Sequence, residues 1–123
     1  MTGTAVSIRL PFPPPALNPN ARPDRWEKAA AVKQYRRDCL YLALKAGREQ
    51  GIVEPPVSMT VTFVLKGLAR RRDWDNLIAS FKSGLDGLTD ALLPDDSIQV
   101  ISRLQLAVAV GDPAVVVDIE AAS

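Results

Sequence analysis

In the run Arg70-Arg71-Arg72-Asp73-Trp74-Asp75-Asn76, two carboxylates stand one residue apart behind three guanidinium groups. About twenty residues later a second acidic pair, Asp95-Asp96, follows Leu92-Leu93-Pro94. Hard Mg²⁺ takes oxygen ligands, usually a few carboxylates completed by water and substrate phosphate. Arginines alongside such a site offer donors for neighbouring phosphates. Each acidic pair also has a purely local use, Asp75 as a helix cap and Asp95-Asp96 as a turn before a strand. Together with Lys82, Asn76 and the three arginines, the pairs point instead to metal-assisted chemistry on phosphate. Spacing alone leaves open whether Asp95 or Asp96 is the ligand. The chain has no histidine, which excludes Cys-His and Ser-His catalysis and a conventional zinc site. Its one cysteine, Cys39, falls among apolar helix positions and reads as a small buried hydrophobe.

The elements that must position these groups follow from periodicity. Val6, Ile8 and Leu10 alternate with polar neighbours and predict a first strand, ended by Pro11. Residues 11 to 23 form a loop held extended by Pro13, Pro14 and Pro15, with turn chemistry at Asn18-Pro19-Asn20. A long helix is predicted from about Asp24, its cap, to Gln50, with Val32, Tyr35, Leu40 and Leu42 to Leu44 among its apolar positions and Gly51 as its stop. Val57 to Leu65 alternates as a half-buried strand and feeds the basic loop Lys66 to Arg72, which puts Asp73 and Asp75 at or just past its end.

Leu77, Phe81, Leu85, Leu88 and Leu92 then recur at three and four, one face of a second helix ended by Pro94. At ~100° per residue, Asp75, Lys82 and Asp86 fall within ~40° of one another, away from that stripe. Gly84 and Gly87 inside this helix cost roughly 1 kcal/mol each relative to Ala, so something nearby needs the room. Trp74 is directed to core or interface. Strands Ile98 to Val110 and Ala114 to Ile119 are joined at Gly111-Asp112-Pro113 as a hairpin. The order β-α-β-α-β-β predicts one α+β domain over residues 1–123, with a mixed sheet and two main helices.

The chain of 123 residues, 47% hydrophobic and 24% charged, suits a single domain with a modest core. No apolar run approaches the roughly 20 residues of a membrane span, so a soluble, cytoplasmic protein is expected. The net charge of +1 conceals a polarity. Residues 22 to 72 carry twelve basic against five acidic residues, and residues 73 to 120 carry two against nine. Arg22, Arg25, Lys28, Lys33, Arg36, Arg37, Lys45 and Arg48 cluster on or just before the first helix, and Lys66 and Arg70 to Arg72 on the loop, a distribution suited to a phosphate backbone.

These residues invite comparison with a known family. Arg72-Asp73-Trp74-Asp75-Asn76-Leu77, then Lys82, Asp86-Gly87-Leu88 and Pro94-Asp95-Asp96-Ser97-Ile98-Gln99, resemble the RusA-type Holliday-junction resolvases of bacteria and their phages. The likeness extends to Leu10-Pro11-Phe12-Pro13-Pro14, to Asn18 and to the order of elements. It implies that Asp73, Asp75 and Asp96 are metal-binding catalytic carboxylates, that Lys82 is the catalytic lysine, and that Asp95, Asp86 and Asn76 stand at or behind the ion. The family lysine commonly follows the second aspartate by four residues, where this chain has Ala79. Lys82 is matched because it precedes Asp86 by four, which implies a three-residue insertion in the first turn. The implied activity is Mg²⁺-dependent cleavage of four-way DNA junctions, with Mn²⁺ as a substitute ion, by a twofold homodimer. The hydrophobic strand positions Val108, Val110, Val115 and Val117 suit core packing first and part of a dimer surface second. Two other classes fit part of the pattern: a junction-binding module without cleavage, and a nucleotide phosphohydrolase, which has no use for the basic helix.

Overall fold

Alternation of apolar side chains builds the sheet. In the computed structural model, which describes residues 5–122, four strands and two helices follow the expected order. They are β1 (Ala5–Pro11), α1 (Arg25–Gln50), β2 (Val57–Leu65), α2 (Trp74–Leu92), β3 (Ile101–Val110) and β4 (Ala114–Ala121), with a short 3-10 turn at Pro15–Leu17. The architecture is a mixed α+β domain with sheet order β1-β4-β2-β3. β4 is antiparallel to both β1 and β2, and β2 and β3 are parallel. A parallel pair needs a crossover connection, and α2 supplies it. Because β1, β2 and β3 all run the same way, the loops that leave β1 and β2 emerge at one end of the sheet.

One expectation is corrected here. β3 and β4 do not form a hairpin: β2 lies between them and pairs with both. The link Gly111-Asp112-Pro113 crosses the end of β2, where the Gly111 N–H donates to the Leu65 carbonyl at 2.8 Å. Two strand spacings are about 10 Å, a distance that a three-residue link reaches when extended. The pairing also follows burial. Val115, Val117 and Ile119 take the centre of the sheet, and β3 is left at its edge.

The register makes the consequence visible. Ile8, Val117, Val61 and Leu106 form one row across the sheet, and the first three are at most 3% exposed whereas Leu106 is 37% exposed. In the rows on either side, Leu104 and Val108 are likewise exposed beside buried partners. The core therefore sits between the helices and β1, β4 and β2, and stops short of β3. β3 itself begins three residues later than expected. The Asp95 carboxylate accepts from the Ser97 N–H at 2.7 Å, and the Ile101 N–H donates to the Ser97 carbonyl, so residues 95 to 100 are consumed in turns and Ile98 is solvent-exposed.

α1 begins at the predicted cap, Asp24, whose carboxylate accepts from the Glu27 N–H at 2.8 Å, and ends at Gly51 with φ 96°. Its buried residues are Tyr35, Cys39, Ala43 and Ala46, whereas Val32, Leu42 and Leu44 remain well exposed. α2 comes very close to α1, and the small residues that allow it are the glycines of α2. A Cβ on Gly87 would strike the Arg36 carbonyl, and one on Gly84 would meet the Tyr35 ring at 2.5 Å. Among the described residues no helix is long and apolar enough to cross a membrane.

Burial pushes the Cys39 thiol up to about 12 and raises the Tyr35 phenol as well, the latter donating to the Pro11 carbonyl at 2.6 Å. The folded state keeps both protons while the unfolded chain releases them near 9 and 10. Stability is therefore full below pH 9 and falls as pH rises toward 12, by about 1.4 kcal/mol per pH unit for each group. Urea midpoints at pH 8 and pH 10.5 are expected to show this loss, and Cys39→Ala to flatten it. An unchanged slope in that variant would show that Cys39 is not its source.

Candidate functional site

The first acidic pair lies in the turn that starts α2. β2 ends at Leu65, so Asp73 and Asp75 are not on a strand and do not align by strand alternation, contrary to expectation. Asp73 is the N-cap residue, yet its side chain makes no capping hydrogen bond and instead lies 3.5 Å from the Arg71 guanidinium. Asp75 sits in the first helical turn, accepting from the Asn76 N–H at 3.0 Å. The positive end of the helix dipole favours both carboxylates there. Neither is tied down by a strong partner, so both retain oxygens that can face solvent or a cation.

Farther along the same face, Lys82 donates to Asp86 at 2.8 Å and lies 3.6 Å from Asp96. The loop after α2 thus folds back along the helix and returns Asp96 to the face that carries Asp75. The two acids of the second pair differ in role. Asp95 is engaged in its own turn, where hydrogen bonds from Ser97 hold its carboxyl below the usual range, while Asp96 reaches across to Lys82. The hydrogen bond to Asp86, reinforced by attraction from both carboxylates, raises Lys82 above the ordinary lysine value and keeps it protonated at neutral pH.

α2 runs unbroken from Trp74 through Ala79 and Lys82. Three extra residues amount to ~300° of rotation, so an inserted turn moves a lysine along the axis by about 4.5 Å while leaving it on nearly the same side. Lys82 is then two turns, about 10 Å, from Asp75. Among the described residues no three acidic or thiol groups stand close enough to share one ion. The donor chemistry nevertheless suits Mg²⁺, since Asp73 and Asp75 supply hard oxygens beside open space and such an ion needs only one or two carboxylates besides water and phosphate.

The basic residues divide. Arg70, Arg71, Arg72 and Lys66 are exposed on the loop before α2. Arg36 is engaged by Asp90 of α2 at 2.6 Å and clamps the two helices. Lys33, Arg37 and Arg48 lie within ~60° of one another, on the side of α1 away from its buried stripe. Arg25 stacks over Trp26 at 5.0 Å near the helix start, where Lys28 is also exposed and Arg22 lies just outside.

Sequence reasoning missed a concavity. Phe12, Pro13, Pro14, Pro15, Asn18, Asn20 and Ala21 from the loop after β1 face Arg70 to Arg72, Asp73, Asn76, Leu77 and Ser80 across a cavity of about 640 Å³. The signal was present in part: a proline-stiffened loop with two asparagines is a wall in search of a partner. Its partner depended on the sheet order, which brings the ends of β1 and β2 together.

No family model matches the chain. It is 37% identical over 93 residues to an uncharacterized protein of Xylella fastidiosa (strain Temecula1), a match that covers 73% of this chain and 60% of that protein. The chain therefore spans less than two thirds of the relative's length.

Proposed function

We propose that this chain is a structure-selective endodeoxyribonuclease of the RusA type, resolving four-way DNA junctions by Mg²⁺-dependent phosphodiester hydrolysis. The observation that carries this reading is the single face of α2 on which Asp75, Lys82 and Asp86 line up and to which Asp96 returns, with Asp73 at the head of the same helix bordering an arginine-lined cavity. Asp73 and Asp75 would hold Mg²⁺, or Mn²⁺ in its place, and the ion when bound would acidify a water and offset charge on the phosphate. Asp96, the third carboxylate of this reading, stands at Lys82 and would have to shift to reach the same ion. Lys82 keeps Asp96 turned toward α2 and adds a fixed positive charge beside the reacting phosphate. Arg70, Arg71 and Arg72 hold flanking phosphates, and Lys33, Arg37, Arg48 and the basic start of α1 guide the duplex arms. A synthetic junction incubated with protein and Mg²⁺ is expected to be nicked in two opposing strands while linear duplex survives. Tight junction binding without nicking would support the silent binder, and hydrolysis of nucleotides without junction affinity the phosphohydrolase.

Two equivalent strands to cut call for two sites, and the fold offers a surface for a second copy. Leu104, Leu106, Val108 and Val110 line the helix-side face of the edge strand, and Trp74, 46% exposed, packs edge-on against Phe63 in the neighbouring row. Free ladder groups and an apolar stripe on one strand are self-complementary about a twofold axis, so antiparallel pairing of β3 with its copy would extend the sheet and cover both stripes. Leu106→Arg is expected to give a folded monomer by sedimentation equilibrium where the parent is a dimer. A variant that stays dimeric would rule out this face.

A further inference from the structure

We propose that the cavity between the loop after β1 and the start of α2 receives one unstacked nucleotide adjoining the scissile phosphate, so that base extrusion contributes to substrate selection. The inference rests on the nuclease reading above and adds to it a pocket that no carboxylate chemistry requires. A cavity of about 640 Å³ is far more than a phosphate group fills. It lies within the ~300–1,000 Å³ typical of clefts that enclose small organic ligands.

Its walls divide by chemistry into a stacking surface for a base, donors for the flanking phosphates and amides for a base edge. The Arg72 guanidinium lies over the Phe12 ring at 5.7 Å from the centroid, and Pro13 to Pro15 continue that apolar wall. An aromatic ring and a guanidinium plane are the surfaces on which unpaired bases stack. Arg70 and Arg71 bring positive charge to the rim for the phosphates on either side. Asn20 and Asn76 bring side-chain amides, which can pair with a base edge in both donor and acceptor sense. Asn18 is partly committed, since its carbonyl oxygen accepts from the Asn20 N–H at 2.9 Å and so braces that corner.

Position links the pocket to the acidic row. Asp73 and Asn76 line the cavity, and Asp75 lies between them in sequence at the same helix start. Asp73 is the carboxylate that borders the cavity, so a nucleotide seated here would adjoin a phosphate held at Asp73. In an intact duplex the bases are stacked inward, and extrusion costs a few kcal/mol, least where pairing is already broken. A branch point is such a place. The pocket would therefore make a junction a better substrate than linear duplex without reading its overall shape.

The test is photocrosslinking with 5-iododeoxyuridine placed in turn at each position around the branch point of a synthetic four-way junction, bound in Ca²⁺ to suppress cleavage. Iodouracil couples efficiently to an aromatic ring on which it stacks. The expected result is a crosslink from one branch-point position to Phe12, identified by mass spectrometry, and none from a fully paired position one helical turn away. Phe12→Leu is expected to abolish it, and Asn20→Ala, an exposed change that leaves the core untouched, to lower its yield about tenfold. Protein is kept at saturation over the junction by anisotropy in every case, so that a change in affinity does not enter the yield. Free iododeoxyuridine monophosphate is expected to give no Phe12 adduct, because it lacks the arms that the basic residues hold. Crosslinks spread evenly along the arms, an adduct yield indifferent to both variants, or equal labelling by the free nucleotide would each overturn the proposal. Mg²⁺-dependent cutting of the uniodinated junction reads the nuclease assignment separately. Cutting without a Phe12 adduct removes the pocket alone, and an adduct without cutting removes the nuclease reading alone.

Discussion

Replacing Asp75 by Asn is expected to slow Mg²⁺-dependent junction cleavage by about three orders of magnitude, equivalent to about 4 kcal/mol of barrier, while leaving junction affinity equal or higher. Asn has the shape of Asp and keeps an oxygen that can accept from the Asn76 N–H, so the local turn survives. The lost charge at the helix start costs about 0.3–1 kcal/mol of stability, too little to unfold the domain. What disappears is one anionic oxygen ligand for a divalent ion. The same change removes a negative charge that repels the DNA backbone, and so cleavage and binding move in opposite directions. A merely structural role for Asp75 would move them together. Single-turnover cleavage with Mg²⁺ and anisotropy with Ca²⁺, on one junction, measure the two quantities. A rate within about tenfold of the parent would remove Asp75 from the ion's ligands.

The separation between Asp75 and Lys82 bears on how such a site works. With two helical turns between them, Lys82 would, under the proposed function, meet the far oxygen of a phosphate held at Asp75. Its two carboxylate partners, Asp86 and Asp96, hold the ammonium in place. Under the proposed function Lys82 would position Asp96 as well as supply charge, and Asp86 would support both.

How far the sequence revealed this arrangement depends on the range of the interactions. The common face of Asp75, Lys82 and Asp86 is a property of one helix, and simple rotation found it. The return of Asp96 depends on how a loop folds back over α2, and no local pattern encodes that. The supposed hairpin failed for a similar reason: Gly111-Asp112-Pro113 has turn chemistry, but which strand pairs with β3 is decided by the stronger burial of β4 against β2. On α1 the large apolar residues misled. Ala43 and Ala46 are buried while Leu42 and Leu44 remain exposed, so burial on α1 follows position around the helix and not side-chain size, and the close approach of α2 is met by its own Gly84 and Gly87. Arg36 could not be separated from the other cations of α1 without knowing that Asp90, distant in sequence, stands beside it. The cavity was invisible until the strand directions placed two loops at one end of the sheet.

That close contact between helices gives the largest effect expected on stability. On an exposed helix, Gly→Ala gains about 1 kcal/mol of helix propensity. At Gly87 the sign is expected to reverse, because the new methyl group would meet the Arg36 carbonyl oxygen and approach the Leu40 amide to 3.1 Å. Both obstacles are backbone atoms of α1, which cannot rotate aside as a side chain would. The helices must move apart, and the fully buried side chains Leu88 and Cys39 lose contacts with them. Overpacking of this kind costs about 1–3 kcal/mol, and the upper end is expected where backbone must yield. For a domain of this size such a loss lowers Tm by roughly 10 °C. Gly67→Ala is the matched control, since a Cβ there meets nothing within 4 Å. Calorimetric melting of the two variants beside the parent checks the argument: a Gly87→Ala protein as stable as the Gly67→Ala protein would mean that α1 and α2 do not approach as closely as the structure has them.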